Sequence, residues 1–160
     1  MRIVIAAVGR IKSGPEFDLV EDYLGRARAL GRNLGFSDVR LADVEAPKGL
    51  TGAVRQAREG ELLLKSVPAG SRLIALDERG EAQDSAAFSK LLAKWRDEGA
   101  SCAGALIGGA DGLTAQVRER ADKVLSFGRA TFPHLLVRAM LAEQTYRAMT
   151  ILSGHPYHRA

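Results

Sequence analysis

Four nearly continuous apolar runs and one alternating run stand out along the chain. Short apolar runs that end at glycine, proline or charged residues are typical of strands buried on both faces, whereas alternating apolar and polar residues indicate a half-buried strand. The predicted strands are residues 2–8 (RIVIAAV), 39–44 (VRLADV), 72–76 (RLIAL), 102–109 (CAGALIGG) and 123–127 (KVLSF).

Longer segments with helix-start signals separate these strands. Asp84, Thr114 and Thr131 stand where an N-terminal cap is expected, and Pro133 is expected to begin the last helix. That helix is apolar nearly all round, which indicates burial on several sides. The predicted helices are residues 15–29, 51–66, 84–98, 114–121 and 133–152.

This alternation of strands and helices predicts an α/β fold. We expect a single domain over residues 1–160, with a largely parallel sheet and helices on both of its faces. Ligands of such sheets bind outside the carboxyl ends of the strands. The loops after Val8, Leu76, Ile107 and Phe127 are therefore the expected places for a site.

Composition and charge narrow the function classes. The chain is 46% hydrophobic and 26% charged, values typical of a globular protein rather than a disordered one. No apolar run approaches the roughly 20 residues that span a bilayer, and residues 1–10 fit a strand better than a signal peptide, so we expect a cytoplasmic protein without a membrane partner. One cysteine excludes an internal disulfide, and a net charge of +4 is compatible with a polyanionic partner.

Two glycine-containing loops invite comparison with phosphate-binding motifs. Gly9 and Gly14 have the spacing of a P-loop, but Pro15 and Glu16 stand where lysine and a hydroxyl residue must hold phosphate and Mg²⁺. The sequence therefore disfavours an ATPase or GTPase. The segment IGGADGL, residues 107–113, lets a backbone approach a ligand closely, although a tight strand-to-helix turn accounts for the same glycines.

All three histidines lie in the last segment of the chain. His134 and Arg138 share one stripe of the last helix, which fits either an interior helix or a homodimer interface beside a ligand site. His155 and His158 have an HxxH spacing without acidic or cysteine ligands nearby, so no metal site is expected. For the tail histidines, RNA contact, proton chemistry and simple solvated polarity stay open.

A set of ordered motifs covers the whole chain: VGRIK, LDERG, LIGGADGL, LSFGRATFPHLLVRAMLAEQTYRA and HPYHR. This set closely resembles the large-subunit (23S) ribosomal RNA pseudouridine N3-methyltransferases of type H, which are small members of the SPOUT class. The resemblance implies a SPOUT fold with a C-terminal trefoil knot, S-adenosylmethionine as cofactor and a homodimer. It implies N3-methylation of a pseudouridine as the reaction.

The family's S-adenosylmethionine pocket matches three of the strand-end loops named above. Apolar side chains there are expected to hold the adenine, and loop amides to bond its edges. In the loop that follows the fifth strand, the resemblance implies a role for the backbone more than for the side chain of its arginine. The implied cofactor-binding residues are Leu76, Gly108, Phe127, Gly128, Arg129, Ala130, Thr131 and Phe132.

Residues 153–160 resemble the family's functional C-terminal tail, which implies that the tail of one subunit completes the active site of its partner. His158 is the candidate general base for the N3 proton, because an imidazole is largely neutral at pH 7. Tyr157 is expected to orient or stack on the base. Arg159 is expected to stabilise charge on the uracil ring or to bind phosphate. An extra Ala160 follows where many relatives end.

The expected substrate contacts are His134, Arg138 and His155. Because the chain has no separate RNA-binding domain and is only mildly basic, an assembled ribosomal surface is the expected substrate rather than naked rRNA. Two other classes stay open. One is a noncatalytic RNA-binding or ribosome assembly protein, which needs no cofactor loops, and the other is a nucleotide-dependent small-molecule enzyme of open α/β type, which needs no tail.

Overall fold

Strands and helices alternate along the chain in the computed structural model, which describes residues 1–159. Ala160, the last residue of the predicted functional tail, lies outside the described residues. The strands are β1 (Arg2–Val8), β2 (Asp38–Val44), β3 (Arg72–Ala82), β4 (Cys102–Ile107) and β5 (Lys123–Ser126). The helices are α1 (Pro15–Gly31), α2 (Gly52–Ser66), α3 (Ser85–Asp97), α4 (Ala115–Arg120) and α5 (His134–Ser153), with a 3₁₀ turn at Arg32–Leu34.

The five strands form one parallel sheet in the order β2-β1-β4-β3-β5. The sequence-based prediction of an α/β fold with a parallel sheet is confirmed. Because every strand runs the same way, all five carboxyl ends meet at one edge, which we call the carboxyl edge. Loops from this edge are where a ligand of such a sheet is bound.

Each face of the sheet packs against its own group of helices. In β1, Ile3 and Ile5 point into a core shared with α1, α3 and α5, while Val4 and Ala6 point into a second core shared with α2 and α4. Burial of successive residues on opposite faces explains why the strand reads as a continuous apolar run. The prediction of helices on both faces is therefore confirmed.

The third strand differs from its prediction. The charged run Asp77–Glu78–Arg79 reads as a strand end, yet β3 continues, shifts register after Leu76 and pairs again with β5 through Glu81 and Ala82. Gly80 allows this path, because a Cβ at that position would lie 2.5 Å from the carbonyl carbon of Leu125. No local sequence signal indicates that β5 packs against this glycine.

Helix starts test the capping predictions directly. The side chains of Asp84 and Thr114 accept hydrogen bonds from the backbone N–H groups of Ala87 and Val117, so both predicted caps are confirmed. The predicted cap at Thr131 is wrong, because Pro133 occupies the cap position of α5 and no side chain bonds the first turn.

None of the described helices, α5 included, has the length and apolar character that a membrane span requires.

Candidate functional site

A cavity of about 930 Å³ opens at the carboxyl edge. The Leu76–Arg79 segment of β3, the loops following β4 and β5 and the start of α5 line it, whereas Gly9 and the rest of the loop after β1 do not. Three of the four loops that the sequence singled out therefore meet in one cavity. Its size lies in the range of sites for drug-sized ligands and cofactors.

Most of the implied cofactor-binding residues come together in this cavity. Arg129 is the exception, since it is exposed and does not line the wall. The cavity-lining members of the set are Leu76, Gly108, Phe127, Gly128, Ala130, Thr131 and Phe132. Arg129 thus differs in position from its six loop neighbours at 127–133, all of which line the cavity.

The glycine loop, residues 108–112, forms one wall and is shaped by a close approach within itself. A Cβ on Gly108 would lie 2.6 Å from the carbonyl carbon of Gly112, so only glycine fits there. Helix α2 holds the outer side of the loop, because Arg55 forms an ion pair with the Asp111 side chain and Gln56 donates a hydrogen bond of 2.6 Å to the Asp111 carbonyl. The sequence analysis missed these α2 contacts, which no local spacing signals.

Glu59 lies behind the glycine loop as a buried carboxylate. Its Oε2 has no hydrogen-bond partner among the described residues, and a Cβ on Gly109 would lie 3.0 Å from that atom. Its other oxygen lies 3.7 Å from Arg55 Nε. Burial raises the pKa of Glu59 above its ordinary value, with Arg55 opposing and Asp111 adding to this shift.

We expect Glu59→Gln to stabilise the protein near neutral pH, on the order of 1 kcal/mol, because a buried carboxylate oxygen without a partner is costly. A carboxyl with a raised folded-state pKa destabilises the fold as pH rises through that pKa, so the difference from wild type should vanish below about pH 4. Urea unfolding from pH 4 to 8 measures this difference in the free energy of unfolding. Glu61→Gln, which removes an exposed partner of Arg58 on the same helix, should show no such gain. A loss of stability in Glu59→Gln at neutral pH would mean that attraction to Arg55 outweighs burial.

A second ion pair joins two walls of the cavity. Arg118 of α4 donates a 3.1 Å hydrogen bond to Asp77 Oδ2 and a further bond to the Leu113 carbonyl at the end of the glycine loop. Asp77 also accepts from the backbone N–H of Arg79 at 3.0 Å. The Asp77–Arg79 segment of β3, the glycine loop and α4 are therefore fixed to one another around the cavity.

The segment 127–133 passes over the carboxyl edge. It leaves β5 at the edge of the sheet and reaches α5, whose first residue His134 packs against Gly9 at the end of β1. In the strand order, β3 and β4 lie between β5 and β1, so the segment crosses about 14 Å of sheet edge at the usual strand spacing. This crossing closes one side of the cavity.

His134 lines the cavity from the first turn of α5. Burial lowers the pKa of its imidazole, and the nearby charge of Arg138 lowers that pKa further. His134 is therefore neutral at pH 7, with one ring nitrogen to donate and one to accept. The structure thus brings the predicted substrate contact His134 to the same cavity as the cofactor residues.

Arg138 has a different position from that expected of a substrate contact. Its side chain has 0% exposure, and its guanidinium donates to the carbonyls of Val8 and Gly9 and, at 3.0 Å, to Asp43 Oδ1. Asp43 in turn accepts from the backbone N–H of Ile11 at 3.2 Å. Arg138 thus positions the loop after β1 rather than facing the cavity.

The tail folds back on α5. Tyr157 packs on Tyr146, with ring centroids 4.7 Å apart, and Arg147 lies over its ring at 4.8 Å. The Tyr157 hydroxyl donates a 3.0 Å hydrogen bond to Glu143 Oε1. Burial, followed by hydrogen bonds to Tyr23 and Glu143, raises the pKa of Tyr157, so its hydroxyl keeps its proton.

The other tail residues surround this anchor. His158 Nδ1 lies 3.4 Å from Arg147 Nη1, and His155 Nδ1 accepts from the backbone N–H of Tyr157 at 3.2 Å. Arg159 is exposed. None of His155, Tyr157, His158 and Arg159 lines the cavity of its own subunit. The structure therefore orders the candidate catalytic residues but keeps them apart from the candidate cofactor residues within one chain.

An apolar groove lies between α1 and α5 beside the tail anchor. Leu19 and Leu136 are 43% and 38% exposed on its rim, and Glu143, the partner of Tyr157, lines it. Phe127 lines both this groove and the cavity. Exposed leucines on adjacent helices are unusual for a surface that faces only water.

Comparison with known proteins gives consistent matches over the full chain. The family model described as predicted SPOUT methyltransferase matches residues 1–158. The chain is 52% identical over 159 residues to the ribosomal RNA large subunit methyltransferase H of Methylocella silvestris, covering 99% of both chains. It is 54% identical to the protein of the same name from Cereibacter sphaeroides, again covering 99% of both, and 48% identical to that of Rhodopseudomonas palustris, covering 100% of both.

A solved structure shares the fold at low sequence identity. A probable methylase family protein from Haemophilus influenzae superposes with a TM-score of 0.51 and 12% identity, covering 99% of this chain and 70% of that one. At this identity the likeness bears on the fold alone.

Proposed function

Because the chain belongs to the ribosomal RNA large subunit methyltransferase H family of SPOUT methyltransferases, we propose that it methylates N3 of a pseudouridine in large-subunit rRNA with S-adenosylmethionine as donor. Family membership makes it a methyltransferase of large-subunit rRNA. The observation that carries the finer proposal is the cavity at the carboxyl edge, into which three strand-end loops converge.

The residues of the cavity fit S-adenosylmethionine. Apolar side chains, among them Leu76, Leu125 and Phe132, provide walls for an adenine, and the glycine loop exposes backbone groups to its edges. The exposed carboxylate of Glu78 lies in the same wall, which suits a donor that carries a sulfonium and an ammonium group, whereas Asp77 is paired with Arg118. When bound, the donor supplies an electrophilic methyl group.

The chain's own residues would act on the nucleobase. We assign removal of the N3 proton to His158, orientation of the base to Tyr157 and stabilisation of the ring's negative charge to Arg159. His134, as a neutral imidazole in the cavity wall, holds the base by a hydrogen bond. His155 fixes the turn of the tail, since its ring accepts the Tyr157 N–H.

The tail would act on the cavity of a second subunit. Two observations support this part of the proposal: the tail residues do not line their own cavity, and the exposed apolar groove between α1 and α5 lies next to them. A second copy of the chain seated on that groove covers Leu19 and Leu136. Since Phe127 lines both groove and cavity, such a dimer would place each cavity near the interface.

Transfer of a labelled methyl group to ribosomes that lack the modification tests the proposal. We expect label on one pseudouridine of the large subunit, located by mass spectrometry, with intact ribosomes preferred to protein-free rRNA because few exposed groups can read an extended RNA sequence. Equal transfer to protein-free rRNA would contradict the preference for an assembled particle. Donor binding by calorimetry without transfer to any ribosomal substrate would contradict the substrate, and absence of donor binding would favour a noncatalytic RNA-binding protein.

A further inference from the structure

The carboxyl edge carries cations that have no acidic partner. Within residues 1–159, no carboxylate lies within 4 Å of the charged groups of four exposed side chains at this edge. These side chains are Lys12, Lys48, Arg79 and Arg129. They surround the end of the sheet at which the cavity opens.

Three acidic side chains of the same edge form ion pairs with arginines of the helices. Asp43 pairs with Arg138 of α5, Asp77 with Arg118 of α4 and Asp111 with Arg55 of α2. Each of these arginines comes from a helix rather than from a loop. Arg10 pairs with Glu45 of the same edge, so Lys12, Lys48, Arg79 and Arg129 are the cations left without an acidic partner there within residues 1–159.

The backbone turn that precedes Arg129 is fixed at the cavity mouth. Ser126 Oγ accepts the Gly128 N–H at 3.0 Å and donates to the Gly128 carbonyl at 2.9 Å, which fixes the turn immediately before Arg129. The residues on both sides of Arg129 line the cavity, while Arg129 itself is exposed. Its guanidinium therefore faces outward from the wall that its neighbours form.

Lys12 is fixed from the other side of the edge. The preceding residue, Ile11, is buried, and its N–H donates to Asp43, which Arg138 holds. Lys12 itself is exposed. Gly9 of the same loop packs against His134, a cavity residue, so the loop lies beside the mouth.

We infer that the side chains of Arg129 and Lys12 bind phosphates of the RNA strand on either side of the methylated nucleotide, and that the Arg129 side chain does not bind the methyl donor. This inference rests on the proposed function. A nucleobase that enters the cavity leaves its sugar and phosphates at the mouth, where these two cations lie. Guanidinium and ammonium groups are the usual protein partners of backbone phosphates.

The test measures ribosome binding separately from catalysis. Co-sedimentation with large subunits lacking the modification, without donor, is followed over a range of salt concentrations for wild type, Arg129→Ala and Lys12→Ala. We expect each variant to bind about fivefold more weakly at moderate salt, with a salt slope shallower by roughly one. Arg2→Ala is the matched control, because Arg2 is an exposed arginine at the opposite end of β1 that forms no ion pair within residues 1–159.

Donor affinity by calorimetry is the second readout, and we expect it to be unchanged in Arg129→Ala. Ribosome affinity and salt slope equal to wild type in both variants would overturn the inference, as would loss of donor binding in Arg129→Ala. The same change in Arg2→Ala would also overturn it, because the effect would then follow overall charge. If wild type binds ribosomes with the expected salt dependence but transfers no methyl group, the proposed reaction fails while the phosphate-binding role stands.

Discussion

A chain ending at Gly154 should lose methyl transfer to ribosomes by at least about a hundredfold while still binding S-adenosylmethionine, because a general base contributes at least that much. The truncation removes every tail residue assigned to the nucleobase, but none of them lines the cavity that holds the donor. It keeps the Gly154 N–H, which caps α5 by donating to Ile151 and Thr150. It removes the His155 N–H bond to the Thr150 carbonyl and the Tyr157 ring, but no part of the sheet or of its helices, so we expect the chain to fold and the loss to be one of chemistry.

Single-turnover transfer and donor calorimetry on the same preparation measure this result. His158→Ala should reproduce most of the loss, whereas Tyr157→Phe should lose less because the ring that packs on Tyr146 remains. A melting curve for each variant separates unfolding from loss of activity. Transfer at the wild-type rate by the truncated chain would exclude the tail from the reaction and favour an enzyme that uses the cavity alone.

Mixing two inactive variants shows whether each tail completes the cavity of its own subunit or that of its partner. Leu76→Arg places a bulky cation in the wall of a cavity that must hold a cationic donor, so it should bind no donor while keeping its tail. After equal mixing with the truncated chain and exchange of subunits, mixed dimers hold one intact cavity that faces one intact tail. Activity should return to about a quarter of the wild-type value for random pairing. No recovery would mean that each tail serves its own subunit.

Local sequence signals were sufficient for most of the fold. Apolar runs such as residues 2–8 predicted buried strands because both faces of a parallel sheet are covered, and Asp84 and Thr114 capped the helices they were expected to cap. The paired segments of β3 and β5 could not be anticipated in the same way. The approach of Gly80 to Leu125 joins residues 45 positions apart, and no pattern around the charged run after Leu76 indicates that the strand resumes.

In the candidate site, too, local features were predicted and nonlocal contacts were not. Strand-end loops were predicted from the rule for parallel sheets, and the structure brings three of them together. The supporting contacts from α2, through Arg55 and Gln56 to Asp111, are nonlocal and were not predicted. The donor, the reaction and the role of the tail came from the resemblance, and the trefoil knot stays a prediction from it.

Arg138 shows most clearly what helical spacing cannot decide. The four-residue interval from His134 places both side chains on one stripe of α5, but spacing does not distinguish a side chain at a cavity from one buried against a neighbouring strand. Here both side chains contact the same neighbour, since a Cβ on Gly9 would lie 3.6 Å from His134 Nε2 and 3.5 Å from Arg138 Nη2. His134 reaches the cavity, whereas the Arg138 guanidinium donates hydrogen bonds to backbone carbonyls.

Replacing Arg138 by methionine should therefore destabilise the protein by roughly 2–4 kcal/mol, equivalent to about 10 °C in Tm, because two backbone carbonyls at the end of β1 lose their donor and each unsatisfied buried group costs about 1–3 kcal/mol. The carbonyls of Val8 and Gly9 lose their donor, and Asp43 keeps only the Ile11 N–H. Burial lowers the pKa of Arg138 and the charge of Asp43 opposes this shift, yet an arginine at this depth remains charged.

Thermal unfolding at one fixed protein concentration measures this loss without dimerisation altering the comparison. Arg147→Ala is the matched control, because Arg147 is a partly exposed arginine on the same helix whose ion pair with Glu143 is worth at most about 1 kcal/mol. Donor affinity of the folded Arg138→Met protein should stay close to wild type, since Arg138 does not line the cavity. If the variant melted with wild-type Tm and only the KM for ribosomes rose, Arg138 would contact the RNA after all. Its bonds to Val8 and Gly9 would then describe a conformation that substrate binding replaces.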